Sequence, residues 1–414
     1  MRWPFSFAAI TFVCAFLSTA TIIENGQVRL NPYPGQATKI YSIKSNDSAW
    51  RTYQRNAPEI GYKGRWCANY ISWWAAPGIK FGYTGDNIAV TFGKDTSHNV
   101  LLAWRVSGLP WNFANVTADA TYHFVKPGFP AGVAAGQTTI FEFRVSNWNL
   151  GVQINAVHVD RGAAISKVAD FPRKIEMIGD SLTAGYTGTY ESTSGTGWNL
   201  CEGFGNVEFS IIAYTGICLT DKACWGSPRG QLYQWMRTSD TSPRAIQKYG
   251  QTPPAWPFSS RQAADIVIIN LGTNDASSRT TTPAVSDADF QANYIKLIKS
   301  VFEKYPNTKI IVVQPWMGYY RAGSGNTYRQ SPNTYKAAIR GAVNSFGGAS
   351  GGVHYFDTSG ILQHSDINPK GHPTDVGHIK LASHLMQFIK LTFGWNFQNT
   401  GQEVQSHTMY WNNA

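Results

Sequence analysis

Two different β patterns in one chain predict a two-part fold, an antiparallel β-sandwich or jelly roll followed by a doubly wound α/β domain. In the first part apolar residues alternate with period two, and in the second, unbroken apolar runs are each followed by stretches of helical period. Length agrees, since 414 residues exceed the roughly 250–300 at which single cores stop growing. A chain that is 43% hydrophobic and 14% charged can fill a core in each part, and this composition excludes disordered, collagen-like and coiled-coil proteins. The boundaries expected are a leader over 1–20, the sandwich over 21–160, a linker over 161–171, the α/β domain over 172–395 and a surface tail over 396–414.

The leader, MRWPFSFAAITFVCAFLSTA, has one Arg, an apolar run from Phe5 to Phe16 and small residues up to Ala20, the layout of a secretory signal. The apolar run is too short for a bilayer span, so export and no membrane association are expected. Strand patterns follow: Ile88, Val90 and Phe92 alternate with Ala89 and Thr91, and Phe141, Phe143 and Val145 with Glu142 and Arg144, as on half-buried strands. Residues 99–107 and 151–160 read similarly. Beyond the linker, the runs at 174–178, 209–214, 265–270 and 309–314 resemble strands of a parallel sheet covered on both faces. Helical periodicity occupies 287–305, 333–346 and 377–393.

Cys14 leaves with the leader, and Cys67, Cys201, Cys218 and Cys224 remain. In an oxidising compartment these predict one or two disulfides, with a local staple favoured among the last three, and their spacing fits no common zinc pattern. Asn46 and Asn115 open N-glycosylation acceptor sequences. The net charge of +10 is dispersed without a run of like charges, which argues for a solvated surface and against a nucleic-acid partner.

The chemistry concentrates at strand ends. Gly179-Asp180-Ser181-Leu182 closes the first parallel strand, and a serine outside the carboxyl end of such a strand sits in the usual ligand crevice, placed to act as a nucleophile. Leu271-Gly272-Thr273-Asn274-Asp275 follows the third strand, so the Asn274 amide can aim at the same crevice. Thr215-Gly216-Ile217 follows the second, where a glycine N–H can approach a reacting oxygen with no side chain in the way. Gly371-His372-Pro373-Thr374-Asp375-Val376-Gly377-His378 brings two imidazoles just ahead of the last helix.

These blocks, in this order, resemble the SGNH or GDSL-type hydrolases over about 172–395. The resemblance implies Ser181 as nucleophile, His372 as general base, and an oxyanion hole of the Ser181 and Gly216 N–H groups and the Asn274 amide. His372 is preferred to His378 because the family's base is followed by Pro and precedes the final helix. The sequence departs from the family in having Pro369 where an orienting carboxylate is expected. A backbone carbonyl can hold the imidazole tautomer instead, with Asp366 as the nearest acidic alternative. With a leader and a jelly roll ahead of it, the domain is similar to carbohydrate esterase family two, which implies deacetylation of xylan or glucomannan without a metal or cofactor.

Trp316, two residues past a strand end, is the aromatic expected to line the crevice. The partner expected is an acetylated polysaccharide or oligosaccharide, bound by a monomer. Two other readings stay open, an SGNH esterase or lipase acting on other esters, and a non-catalytic carbohydrate-binding wall protein.

Overall fold

A computed structural model describes residues 36–398 except 42, 44–46, 107–108, 133–137, 277–284, 317, 326, 332–333 and 369, and also 22–24, 27–28 and 408–409. The leader, Asn46, Pro369 and most of the tail therefore lie outside the described residues.

Two antiparallel sheets form the first half. One runs in the order Asn112–Val116, Val100–Val106, Thr139–Val145, Gly78–Tyr83, Ile165–Ser166, with Gly61–Lys63 also paired to Gly78–Tyr83. The other runs Thr38–Ile40, Ala120–Val125, Ile88–Phe92, Val152–Asp160, Trp50–Gln54, with Ile71–Ser72 on Val152–Asp160. The alternation expected from the sequence puts Val90, Phe92, Phe141 and Phe143 between the sheets, in one core with Phe81 and Trp104. Ile165–Ser166 lies within the span expected as linker and pairs with Tyr83 and Gly82. That part of the connection is thus sheet.

The intervening positions correct the half-buried reading of these strands. Glu142 and Arg144 are as hidden as the apolar residues beside them, because the outer face of their sheet packs against the α/β half. Arg105 bridges Glu142 and Glu202, and the Arg144 guanidinium lies 4.2 Å from the Phe209 ring centroid. Period two survives where both faces are buried because one face is apolar and the other is paired charge.

The second half holds a five-stranded sheet in the order Val207–Ala213, Arg173–Gly179, Ile266–Asn270, Lys309–Val313, Val353–Phe356, with every pair parallel. Four strands coincide with the expected apolar runs. The fifth, Val-His-Tyr-Phe, is short and half polar, so no run marked it. Helices Asp287–Lys304, Lys336–Asn344 and Asp375–Phe393 match the periodic stretches. Thr374 caps the last by accepting from the Gly377 N–H, and Gly394 ends it at φ 68. The chain winds outward from Arg173–Gly179 in both directions, so this strand and Ile266–Asn270 flank the point where strand order reverses, the usual ligand crevice of open α/β sheets.

The two halves share one core cluster, in which Ala75, Ala103 and Phe113 pack with Ile175, Trp198 and Phe209. Arg65, just past Gly61–Lys63, is buried against Glu176 on strand Arg173–Gly179 at 3.1 Å. It also donates to the Trp235 and Arg237 carbonyls, while Trp235 Nε1 donates to Glu176 at 2.7 Å. Removing one member of such a pair strands the other charge out of water. Arg65→Met is therefore expected to lower unfolding stability by about 3–5 kcal/mol in denaturant titrations. A loss under about 1 kcal/mol would mean that the pair does not lock the halves together. Among the described residues no helix is long and apolar enough to cross a membrane.

Candidate active site

Ser181 is the first residue of a one-turn helix, Ser181–Ala184, directly after strand Arg173–Gly179. Asp180 caps that turn, its Oδ1 accepting from the Leu182 N–H at 2.9 Å, and Gly185 closes it at φ 73. Gly179 lets the Thr183 side chain pack closely against the strand end, since a Cβ there would stand 2.0 Å from Thr183 Oγ1. Burial, with the Asp275 charge adding to it, pushes the Asp180 carboxyl up to about 7 against the lowering by its Leu182 bond.

His372 meets the serine from the segment before the last helix. Its Nε2 lies 2.9 Å from Ser181 Oγ, and its Nδ1 lies 3.0 Å from the Lys370 carbonyl oxygen. A carbonyl can only accept, so Nδ1 carries the proton and Nε2 presents its lone pair to the Ser181 hydroxyl. Gly371, at φ 78, makes the turn that brings the Lys370 carbonyl back onto the ring. Asn368 holds that turn, its Oδ1 accepting from the Lys370 N–H at 2.9 Å and the His372 N–H at 3.3 Å. Burial, reinforced by the Lys370 charge, moves the imidazole below its usual 6.5, while the carbonyl bond opposes this.

The alternatives to this pair are occupied elsewhere. Asp366 is buried with both oxygens on Lys380 Nζ at 2.8 and 2.7 Å and also accepts from the Gln363 N–H, so the acceptor on His372 Nδ1 is a backbone carbonyl. His378 is fully buried inside the helix, bonded to Thr196 Oγ1 at 2.9 Å, and burial, with His372 adding to it, pushes it down to about 3. It is a core histidine.

The loops carrying Gly216 and Asn274 are tied together. Asn274 Nδ2 donates to the Ile217 carbonyl at 2.8 Å and lies 3.4 Å from Asp180 Oδ2. The neighbouring Asp275 carboxylate accepts from the Leu219 and Thr220 N–H groups at 2.8 and 3.0 Å. Gln231, which no sequence pattern singled out, donates to both the Gly179 and Ile212 carbonyls at 3.0 and 2.9 Å and so pins the ends of the first two strands. Gly216 stands at φ 85, and a Cβ there would come within 2.6 Å of Trp225 Cβ. The Cys218–Cys224 disulfide closes the loop between them, and Cys67 and Cys201 are unpaired.

The aromatic surround differs from expectation. Trp316 is only 4% exposed, packed with Leu182, Leu362 and Leu381 beneath the serine turn, so its ring offers no open face to a sugar. Apolar packing at the strand end took the residue that position alone suggested for the crevice. Trp225, beside Gly216, is 57% exposed. The sandwich also reaches the site: Trp148 meets Tyr186 and Tyr214 edge-on at 5.7 and 5.1 Å, and Tyr186 meets the His372 ring at 4.9 Å. Glu191 anchors that loop through the Trp148 N–H at 2.9 Å.

A serine and an imidazole joined at a strand end, beside the reversal of strand order, are the arrangement that serine-nucleophile chemistry requires. Residues 177–379 match the GDSL-like Lipase/Acylhydrolase family, and the chain carries a domain of that family. It is 26% identical over 366 residues, 83% of its own length, to the Cellulase/esterase CelE of Acetivibrio thermocellus. The chain spans 41% of the length of that relative. A family two carbohydrate esterase from Clostridium thermocellum, solved with cellohexaose, superposes with a TM-score of 0.65 at 22% identity, over 81% of this chain and 100% of that one. A family two enzyme from Corynascus thermopiles with a carbohydrate binding domain gives 0.67 at 20% identity, over 81% and 100%. An acetyl xylan esterase from Butyrivibrio proteoclasticus gives 0.66 at 14% identity, over 84% and 100%. At these identities the likeness to solved structures establishes a shared fold.

Proposed function

We propose that the protein is a secreted serine esterase that removes O-acetyl groups from plant cell-wall polysaccharides such as xylan and glucomannan. The observation that carries this reading is the Ser181 Oγ to His372 Nε2 contact of 2.9 Å, with the far ring nitrogen on a carbonyl. Neutral His372 takes the Ser181 proton as Oγ bonds to the acetyl carbonyl carbon, and the C=O electron pair moves onto oxygen. The Ser181 and Gly216 N–H groups and the Asn274 amide receive that oxyanion, each donor contributing about 3–4 kcal/mol to lowering the barrier. Collapse breaks the bond to the sugar oxygen, which takes the proton from His372. Water then adds to the acetyl-Ser181 carbonyl, gives its proton to His372, and acetate leaves as the proton returns to Oγ.

Similarity to a cellulase/esterase and the shared fold with family two carbohydrate esterases support a glycan substrate. In this reading the N-terminal sheets form a jelly roll that braces the cleft, and the protein acts as a monomer outside the cell. Trp225 takes the sugar-facing place first expected of Trp316. Trp225→Ala is expected to raise KM on acetylated polymer about 10-fold while leaving kcat on a soluble aryl acetate unchanged. Equal KM values would remove Trp225 from the substrate path.

The base must be neutral to act, so the rate falls as pH drops through the His372 pKa, which burial places below 6.5. The acid limb of kcat/KM should have its midpoint below that value, and a midpoint above it contradicts a buried, carbonyl-held base. An acetyl group trapped by acid quench and found by mass spectrometry on the Ser181 peptide tests the covalent step. A quenched enzyme in steady turnover that carries acetyl on another residue refutes it.

A further inference from the structure

Away from the serine, two adjoining depressions open on the sandwich, the smaller one also lined by Arg261 of the α/β half. One holds about 540 Å³ and the other about 280 Å³, and they share Arg55, Asn56, Ala68 and Tyr70. Together they reach the size of an ordinary small-molecule site. The smaller one has half-buried Tyr62 and Tyr70 in its wall, their rings 5.0 Å apart, with buried Trp66 packed behind Tyr62. Tyr70 holds its ring there from a left-handed backbone, φ 57, a conformation that a bulky side chain rarely adopts and that tends to persist at functional positions.

Charge adds a second, independent observation. Among the described residues no Asp or Glu lines either depression, while Arg55 and Arg261 do. Among the described residues neither guanidinium has a carboxylate within ion-pair distance, in contrast to Lys63, Arg65, Arg105, Arg244 and Lys248, each of which has one. Arg55 is held in place: its N–H donates to the Asn155 carbonyl at 3.0 Å, its Nη1 lies 3.5 Å from Asn155 Oδ1, and its carbonyl accepts from Tyr62 Oη at 2.7 Å. The guanidinium sits 5.8 Å from the Tyr70 ring centroid.

Aromatic faces next to amides suit the flat apolar face and hydroxyls of a sugar ring, and a planar guanidinium without an acid partner suits a carboxylate, which it can grip with two parallel N–H bonds. We propose that this part of the sandwich is a second glycan site, separate from the catalytic crevice, that binds a polysaccharide segment bearing uronic acid. It would hold an acidic wall polymer on the enzyme, and the overall net charge of +10 favours the same encounter.

The test uses the full chain and calorimetric titration with a soluble, fully deacetylated glucuronoxylan and with the same polymer after its carboxyl groups are reduced to hydroxymethyl. The wild type should bind the acidic form at least about ten-fold more tightly, with the difference shrinking as salt is raised. Arg55→Gln should abolish that preference. Tyr70→Asn, which keeps a residue tolerant of the left-handed backbone, should weaken binding of both polymers. Both variants should hydrolyse a soluble aryl acetate within about two-fold of wild type, since neither touches the serine site. Equal wild-type affinity for the two polymers, or a preference retained in Arg55→Gln, overturns the proposal, and the wild-type comparison decides alone if a variant fails to fold. Absence of acetate release with the binding preference intact would strike the esterase reading and leave this one standing.

Discussion

Ser181→Ala should lower ester hydrolysis by about 10⁴-fold or more, His372→Ala should do nearly the same, and the double variant should be scarcely worse than either. The two side chains act as one unit through the 2.9 Å contact, so losing either leaves the other without a task. Oxyanion donors and substrate binding would account for the residual rate. Thermal melting should barely move in Ser181→Ala, which loses a single side-chain bond at a recessed position. Losses that multiply in the double variant would show that the two residues work independently, and the proton relay would then be wrong.

The next largest effect is expected at Asn274. Asn274→Ala should cost about 10²–10³ in kcat with little change in KM, because an oxyanion donor acts mainly when charge develops in the transition state. The same amide also grips the Ile217 carbonyl at 2.8 Å and so supports the Gly216 loop. Melting temperature separates the two roles: a kcat loss without a comparable loss of stability marks the donor. A variant with normal kcat on an aryl acetate would remove Asn274 from the oxyanion hole.

Much of this arrangement is legible in the sequence because it sits where pattern and chemistry coincide. Buried parallel strands are continuous apolar runs, so their ends are visible, and Ser181, Gly216 and Asn274 stand just past three of them. His372 is marked by its Pro and by the periodic helix that follows. What orients His372 is a main-chain carbonyl, which no residue type encodes, although Gly371 permits the turn that presents it. Gln231 and Asn368 leave no mark in the sequence, because clamping a backbone carbonyl or a tight turn needs only an amide in the right place, and no periodicity announces one. Trp316 shows the converse: distance from a strand end does not say whether a ring points into the crevice or into Leu182 beneath it. Glu142 and Arg144 look like the wet side of a strand, and only the packing of one half against the other shows that they are buried.

Acetate release from acetylated xylan and glucomannan by the purified protein and by Ser181→Ala, beside short- and long-chain model esters, decides whether Ser181 carries out deacetylation. Release is expected from the wild type and not from the variant, with a preference for acetyl over longer acyl groups. Release that persists in Ser181→Ala, or no release by either protein while polysaccharide binding remains intact, would contradict it.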